Sequence, residues 1–351
     1  MFEDRTNKRT ELSELGEFGL INHLTKDVFI NHPETIRGIG DDAAVIEPTG
    51  KQMLVTCDLL VEGVHFDLTY TPLKHLGYKA AVVNISDIAA MNGIPKQLVV
   101  GIAVSNRFSV EAIDEIYAGI MLACERYKVD LVGGDTTSSR SGLFISVTAI
   151  GEVEPDKVVY RNTAKENNLV CVTGDLGGAY AGLLLLEREK KTYEANPDMQ
   201  PELEGYDYAL ERQLKPEARM DVVLKLREAG ILPTAMIDIS DGLASEILHI
   251  CNDSKMGAVI YEEKIPVDAV VAGIAEEFHI EPAIAALNGG EDYELLFTVD
   301  INDFEKISAI PGISIIGHIT EEASGVNMMS NSGSLITIRA QGWDHYRNNE
   351  E

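Results

Sequence analysis

Tryptophan occurs once in this chain, at Trp343, aromatic residues make up only 6% of it, and the four cysteines stand far apart with no CxxC pair. Spacing of that kind excludes a thiolate zinc site or a disulfide framework, and Cys57, Cys124, Cys171 and Cys251 read as buried or incidental free thiols. Positive charge is scarce as well, with 29 Lys and Arg against 57 Asp and Glu and a formal net charge of -28. Such a surplus repels phosphodiester backbones and anionic lipid, so binding to nucleic acid or to a membrane surface is not expected. Any phosphate bound here should arrive with cations. No apolar run approaches the roughly 20 residues of a membrane span, and stretch 1–9 is too polar and acidic for a signal or transit peptide; a cytoplasmic address is expected.

Familiar nucleotide signatures are missing too. Gly50-Lys51 is followed by Gln52, so no Walker-type loop is formed. Gly38-Ile39-Gly40-Asp41-Asp42-Ala43 fits the loose dinucleotide pattern, but Asp41 and Asp42 would stand where a pyrophosphate needs bare amides. The protein-kinase set of Gly-rich loop and His-Arg-Asp is absent.

What is present is an ordinary globular composition, 351 residues with 45% apolar and 25% charged, long enough for two domains. Hydrophobic periodicity predicts a short helix over 14–24, strands over 53–56 and 61–66, and a helix starting at Pro72 and ending before Asn92-Gly93. A strand over 98–105, an amphipathic helix over 110–127 and strands over 129–132 and 143–150 follow, with a domain boundary over 151–156. Beyond it come a strand over 169–173 and a helix after Gly177-Gly178. The segment 187–216 reads as an excursion without chemistry. A helix over 218–229, a strand over 234–239, a helix over 243–251 and strands over 294–299 and 313–319 complete the pattern. Strands alternating with helices imply an α/β (α+β layered) fold in two domains, 1–152 and 153–351.

The chemistry is carried by carboxylates that recur beside Gly or Ser at the ends of apolar runs: Gly40-Asp41-Asp42, Cys57-Asp58, Ser86-Asp87, Gly134-Asp135, Asp238-Ile239-Ser240-Asp241 and Gly290-Glu291-Asp292. Strand ends are where α/β proteins assemble sites. Many carboxylates without clustered His or Cys select a hard cation, and magnesium takes one or two of them plus substrate phosphates. A magnesium nucleotide is therefore the expected ligand. Singly, each acid has a plainer reading as a turn or helix cap. Asp87 resists it, because Val82, Val83, Ile85, Ile88, Ala89 and Ala90 surround it, and a buried carboxylate without a cation is costly.

The ordered set of motifs 38–45, 58–66, 81–91, 132–137, 238–243 and 290–295 resembles the thiamine-monophosphate kinase family, of the aminoimidazole-ribonucleotide-synthetase superfamily, over about 16–346. The resemblance implies an N-terminal ATP-binding and dimerisation domain and a C-terminal α/β domain that closes over nucleotide and substrate. It implies magnesium ligation at Asp42, Thr56, Cys57, Asp58, Asp87, Asp135, Asp238 and Asp241, and nucleotide contacts at Tyr117, Gly134, Asp135, Arg161 and Ser240. It further implies that His65, Glu291 and Trp343 hold thiamine phosphate. Side-chain chemistry is compatible: Tyr117 offers a flat face to adenine, Arg161 can fork onto phosphate, and Trp343 can stack on a cationic ring. Cys57, a poor magnesium ligand as a neutral thiol, would act through its carbonyl.

The implied reaction is in-line transfer of the ATP γ-phosphoryl group to thiamine monophosphate in a homodimer, with several Mg2+ ions and no catalytic side chain as nucleophile. Other ATP-using members of the superfamily, a cyclo-ligase or a hydrogenase-maturation enzyme, are the alternative. Selenophosphate synthesis is disfavoured, because the first cysteine is Cys57 inside a metal motif. A non-catalytic cation binder lacks its EF-hand loop, and a phosphohydrolase would release free phosphate from ATP.

Overall fold

The computed structural model describes residues 35–37, 41, 44–47, 50–105 and 107–340. The helix expected over 14–24, Asp42 and Trp343 lie outside them. Strands β1 (Thr35–Arg37), β2 (Ala44–Ile46) and β3 (Gln52–Val61) lead into helix α1 (Leu73–Ala90); β4 (Ile94–Val104), helix α2 (Val110–Tyr127), β5 (Asp130–Ser138) and β6 (Phe144–Val153) complete the first half. They form a six-stranded sheet in the order β1-β2-β3-β6-β4-β5. Neighbours are antiparallel except β4 and β5, which α2 joins as a parallel crossover.

The second half runs through β7 (Leu169–Thr173), α3 (Gly178–Ala195), α4 (Asp207–Leu214), α5 (Met220–Glu228), β8 (Ala235–Asp238), α6 (Leu243–Ser254), β9 (Met256–Tyr261), α7 (Ala269–Glu277), α8 (Pro282–Asn288), β10 (Leu295–Val299), α9 (Phe304–Ser308), β11 (Ile313–Glu321), β12 (Val326–Met329) and β13 (Leu335–Thr337). Its seven strands lie in the order β13-β12-β9-β11-β7-β10-β8. The fold is thus mixed α/β with two sheets, as the alternation of patterns suggested.

Helix α1 lies between the sheets. One core runs from Leu54, Leu98 and Val147 of the first sheet, through Leu76, Val82, Ile85 and Ile88 of α1, to Cys171, Met236 and Phe297 of the second. Burial on all sides explains why α1 is apolar all round instead of striped. Strand β7 is buried on both faces for a related reason: Cys171 joins this core while Val170 and Val172 join a second one under α6.

Some sequence expectations change. Stretch 61–66 is not a strand but a tight turn, with Gly63 at φ +79° and the amides of Val64 and His65 both donating to the carbonyl of Val61. The expected 53–56 strand instead extends through Cys57-Asp58 to Val61. Strand β5 continues through Gly133-Gly134-Asp135, because pairing with β4 holds the backbone extended despite the glycines. Segment 187–216 carries the end of α3 and all of α4, and its Arg212 and Gln213 reach across to the Glu291–Glu294 stretch; the reading of it as inert is corrected.

Helices α1 and α2 cross with backbone against backbone. A Cβ on Gly77 would lie 1.9 Å from the carbonyl oxygen of Ile116, and one on Gly119 would lie 1.9 Å from that of Lys74. Alanine is the better helix former by about 1 kcal/mol, yet no rotamer change can move a helix backbone aside. Gly77→Ala is therefore expected to lower stability by about 1–3 kcal/mol in denaturant melts; an unchanged or raised midpoint would contradict the close crossing.

Candidate active site

Helix α1 places Lys79, Val83 and Asp87 on one line at i, i+4, i+8, and that line borders a cavity of about 150 Å3. Asp58 on β3, His65 from the turn after it, Asp238 at the end of β8, Ser240, and Glu291 with Tyr293 from the loop before β10 close the remaining sides. Asp87 is the one residue of 76–90 that is not fully buried, because the cavity opens beside it.

Each acid is held by a neighbour of different origin. The Thr56 hydroxyl donates to Asp87 Oδ2 at 2.5 Å, joining β3 to α1, and the Ser86 hydroxyl donates to Asp238 Oδ2 at 2.6 Å, joining α1 to β8. Asn84 accepts the Asp58 backbone N–H at 3.0 Å and donates to the Ala80 carbonyl at 3.1 Å, so its buried amide is satisfied at both ends. Desolvation, and then the charge of Asp238, push the Asp58 carboxyl up to about 6. Asp238 is also raised, by burial first, with the Ser86 hydroxyl and the Arg161 charge opposing. The Val61 N–H donates to His65 Nδ1 at 3.0 Å, which leaves the ring proton on Nε2 when the imidazole is neutral.

The loop that carries Glu291 is strained and then tied down. Glu291 and Tyr293 have φ of +67° and +52°, a region that residues with a Cβ rarely occupy. Their amides donate to the carbonyls of Ser240 at 2.7 Å and Ile239 at 2.9 Å. The alternate residues are anchored beneath: Asp292 accepts from the amides of Gly177 at 2.7 Å and Ala179 at 3.1 Å at the start of α3, and Glu294 accepts from Arg212 at 2.7 Å and from the Thr173 hydroxyl. Burial pushes the Asp292 carboxyl up to about 6, against the pull of Arg212 and the two amides.

Six of the residues singled out by sequence therefore meet at one cavity: Asp58, His65, Asp87, Asp238, Ser240 and Glu291. Thr56 reaches it through Asp87. Cys57 does not, because alternation along β3 puts its exposed side chain on the opposite face, 3.4 Å from the Ser146 hydroxyl. Asp241 stands in the turn before α6 with its amide donating to Glu246 at 3.0 Å, and Arg161 pairs with Asp41 at 3.2 Å. Tyr117 packs against the main core. Gly134 and Asp135 lie on the exposed edge strand β5. Asp135 is opposite Gly101, Gly101 opposite Ser146 and Ser146 opposite Leu59, three strand spacings or about 14 Å from β3. A Cβ at Gly134 would meet the Val100 carbonyl oxygen at 2.0 Å, so strand packing alone requires glycine there. Among the described acids of these motifs only Asp238 ends a strand; Asp58 and Asp135 lie within strands and Asp87 within a helix.

Lys79, Gln213 and Tyr293 were not anticipated. A lysine eight residues before Asp87 in an apolar helix is a signal the sequence does contain; Gln213 is far away in sequence and gives none. Among the described residues, no three His, Cys, Asp or Glu side chains are gathered closely enough to hold a metal ion unaided. None of the described helices is long and apolar enough to cross a membrane.

Comparison with known proteins adds the following. The family described as AIR synthase related protein, N-terminal domain, matches residues 40–153, and that described as AIR synthase related protein, C-terminal domain, matches 165–328. The thiamine-monophosphate kinase of Bacillus subtilis (strain 168) is 35% identical over 341 residues, 95% of this chain and 100% of that protein. That of Aquifex aeolicus (strain VF5) is 35% identical over 336 residues, 95% of this chain and 99% of that protein. The solved structure of AaThiL complexed with AMPPCP and TMP superposes with a TM-score of 0.82 at 34% identity, covering 97% of this chain and 100% of that one.

The raised Asp58 fixes the sign of a pH effect. An unfolded aspartate titrates near about 3.9, so the folded protein without divalent cation holds this proton more tightly, and stability present below about pH 4 is lost as pH rises through about 6. Asp58→Asn should therefore melt higher than the parent at pH 7 without metal, with the gain vanishing as pH falls toward about 4. Melting curves across that range check it; a gain that persists at pH 4 would assign the effect to something other than the Asp58 charge.

Proposed function

The chain belongs to the thiamine-monophosphate kinase family of AIR-synthase-related proteins, and we propose on that premise that it transfers the γ-phosphoryl group of ATP to thiamine monophosphate, giving thiamine diphosphate and ADP. The observation that carries the reading is the meeting of Asp58, Asp87 and Asp238 with His65 and Glu291 at one cavity between the two sheets. An acceptor phosphate oxygen forms the new bond to the γ-phosphorus while the bond to the β–γ bridging oxygen breaks and its electron pair leaves on ADP. Both partners are anions and the acceptor oxygen is already ionised, so no side chain need act as nucleophile or base.

The donor set fits magnesium. Hard oxygens in ones and twos, with room left for phosphate and water, are what that ion takes, and the raised carboxyls are relieved when a cation binds. Asp58, Asp87 and Asp238 would hold it at the cavity. Thr56, Cys57 through its carbonyl, Asp135, Asp241 and Asp42 are the further ligands of this reading. Bound magnesium supplies neutralisation of charge on the donor and acceptor phosphates. His65, Glu291 and Trp343 would hold the thiamine phosphate, and Tyr117, Gly134, Asp135, Arg161 and Ser240 the nucleotide. The cavity of about 150 Å3 has room for phosphate groups rather than a whole nucleotide, for which 300 Å3 or more is usual. The placing of Tyr117 and Asp135 away from it accords with an adenosine that extends outside.

The reading includes two domains, 1–152 and 153–351, a cytoplasmic address, and a homodimer formed through the first sheet. Support for the dimer is the sheet face turned away from α1, where Leu59 is 52% exposed and Met53, Val55, Val99 and Ile150 are half-buried, and the edge strand β5, where Val132 is 57% exposed.

With ATP, thiamine monophosphate and saturating magnesium, the product should be thiamine diphosphate; release of free phosphate without it would favour a phosphohydrolase. Asp87→Asn keeps the shape and removes the charge, and turnover should fall about a hundred- to a thousandfold, or about 2.7–4 kcal/mol by analogy with loss of one electrostatic element of a transition-state site. Normal turnover in a variant that melts several degrees lower would make Asp87 a structural residue. Light scattering at micromolar concentration should return twice the monomer mass, and a monomeric value would reject the dimer.

A further inference from the structure

Lys79 is the charged residue at the cavity that the phosphotransfer reading leaves without a task. Its side chain is 5% exposed, within the stretch 76–90 of α1 that is buried except at Asp87, and it is the one Lys or Arg lining this cavity among the described residues. The ammonium donates to the Gln213 carbonyl at 3.0 Å and to Glu291 Oε2 at 2.9 Å. The Gln213 side-chain amide donates to the same Oε2, also at 2.9 Å. One carboxylate oxygen is thus held from two sides, by α1 and by α4. Among the described residues, Oε1 takes no hydrogen bond, and the side chain, 29% exposed, borders the cavity.

Electrostatics show what this clamp opposes. Glu291 shares the cavity with Asp58, Asp87 and Asp238, whose charges repel its own, and its backbone at φ +67° sets where the side chain starts but not where it ends. A buried cation within hydrogen-bond distance both offsets that repulsion and fixes the carboxylate plane. We propose that Lys79 is a positioning residue: with Gln213 it locks Oε2 of Glu291 so that Oε1 is presented to the cationic, amine-bearing heteroaromatic part of the acceptor. The proposal rests on the reading given above of Glu291 as an acceptor contact.

The test is a kinetic split. Lys79→Met keeps the length of the buried stem and removes the donor. The KM for thiamine monophosphate should rise about tenfold or more, the scale of one hydrogen bond to a charged group, while the KM for ATP stays within about twofold. Binding of unphosphorylated thiamine and of thiamine monophosphate, measured by calorimetry, should weaken by the same factor. Lys79→Met combined with Glu291→Gln should be no worse than Glu291→Gln alone, because the lysine acts through that carboxylate. Should Lys79→Met not fold, Gln213→Leu removes the other donor to the same oxygen and should give the same split. Equal rises in both KM values, a fall in kcat alone, or additive losses in the double variant would overturn the proposal. So would a loss confined to the phosphorylated ligand, which would make Lys79 a direct phosphate contact. Parent protein that makes no thiamine diphosphate would overturn the underlying reading instead, a result separable from any of these.

Discussion

Beyond its first turn, from Leu76 to Ala90, helix α1 has no solvent side, and that single constraint organises the molecule. Pressed between two sheets, this stretch meets its buried polar side chains with partners from elsewhere, since an unpaired buried donor or acceptor costs about 1–3 kcal/mol. Asn84 turns to the backbone of β3, Ser86 to the carboxylate of β8, and Lys79 to α4 and the Glu291 loop. These bonds join the two halves of the chain through one helix. The acidic cavity lies along the line where they do so.

The same helix explains why so acidic a chain can gather carboxylates. Asp58 and Asp238 are both raised by burial, Asp58 also by the charge of Asp238, and the hydroxyls of Thr56 and Ser86 hold Asp87 and Asp238 in place. Beneath the Glu291 loop the opposite device operates. Arg212 and Arg219 meet Glu294, and the first amides of α3 meet Asp292, so two residues in an unfavourable backbone region are secured by buried charge pairs on either side. Loosening this base would move Glu291 without altering any residue at the cavity itself.

Family, fold class and the identity of most cavity residues were legible in the sequence because they depend on local order. Alternation of apolar runs announces strands and helices, and short motifs such as Ser86-Asp87 or Asp238-Ile239-Ser240 keep their chemistry wherever they are placed. The apolar run around Asp87 pointed to a carboxylate in need of a cation; the Thr56 hydroxyl that donates to it comes from another strand and was not foreseen. Eight-residue spacing put Lys79 on the same helical line, a signal present though unused.

Pairing between distant segments decided the rest. No local pattern says that alternation along β3 sends Asp58 toward α1 and Cys57 away from it, since that depends on which face α1 covers. Nor does any pattern show that Gly134 is glycine for the sake of the Val100 carbonyl, or that Gln213, in a segment read as inert, shares a carboxylate oxygen with Lys79. By itself, then, the sequence determined which groups were available and the local elements that carry them. Only the tertiary structure decided which of them face one another, because side-chain direction is set by the surfaces that bury it, and those come from parts of the chain more than a hundred residues apart.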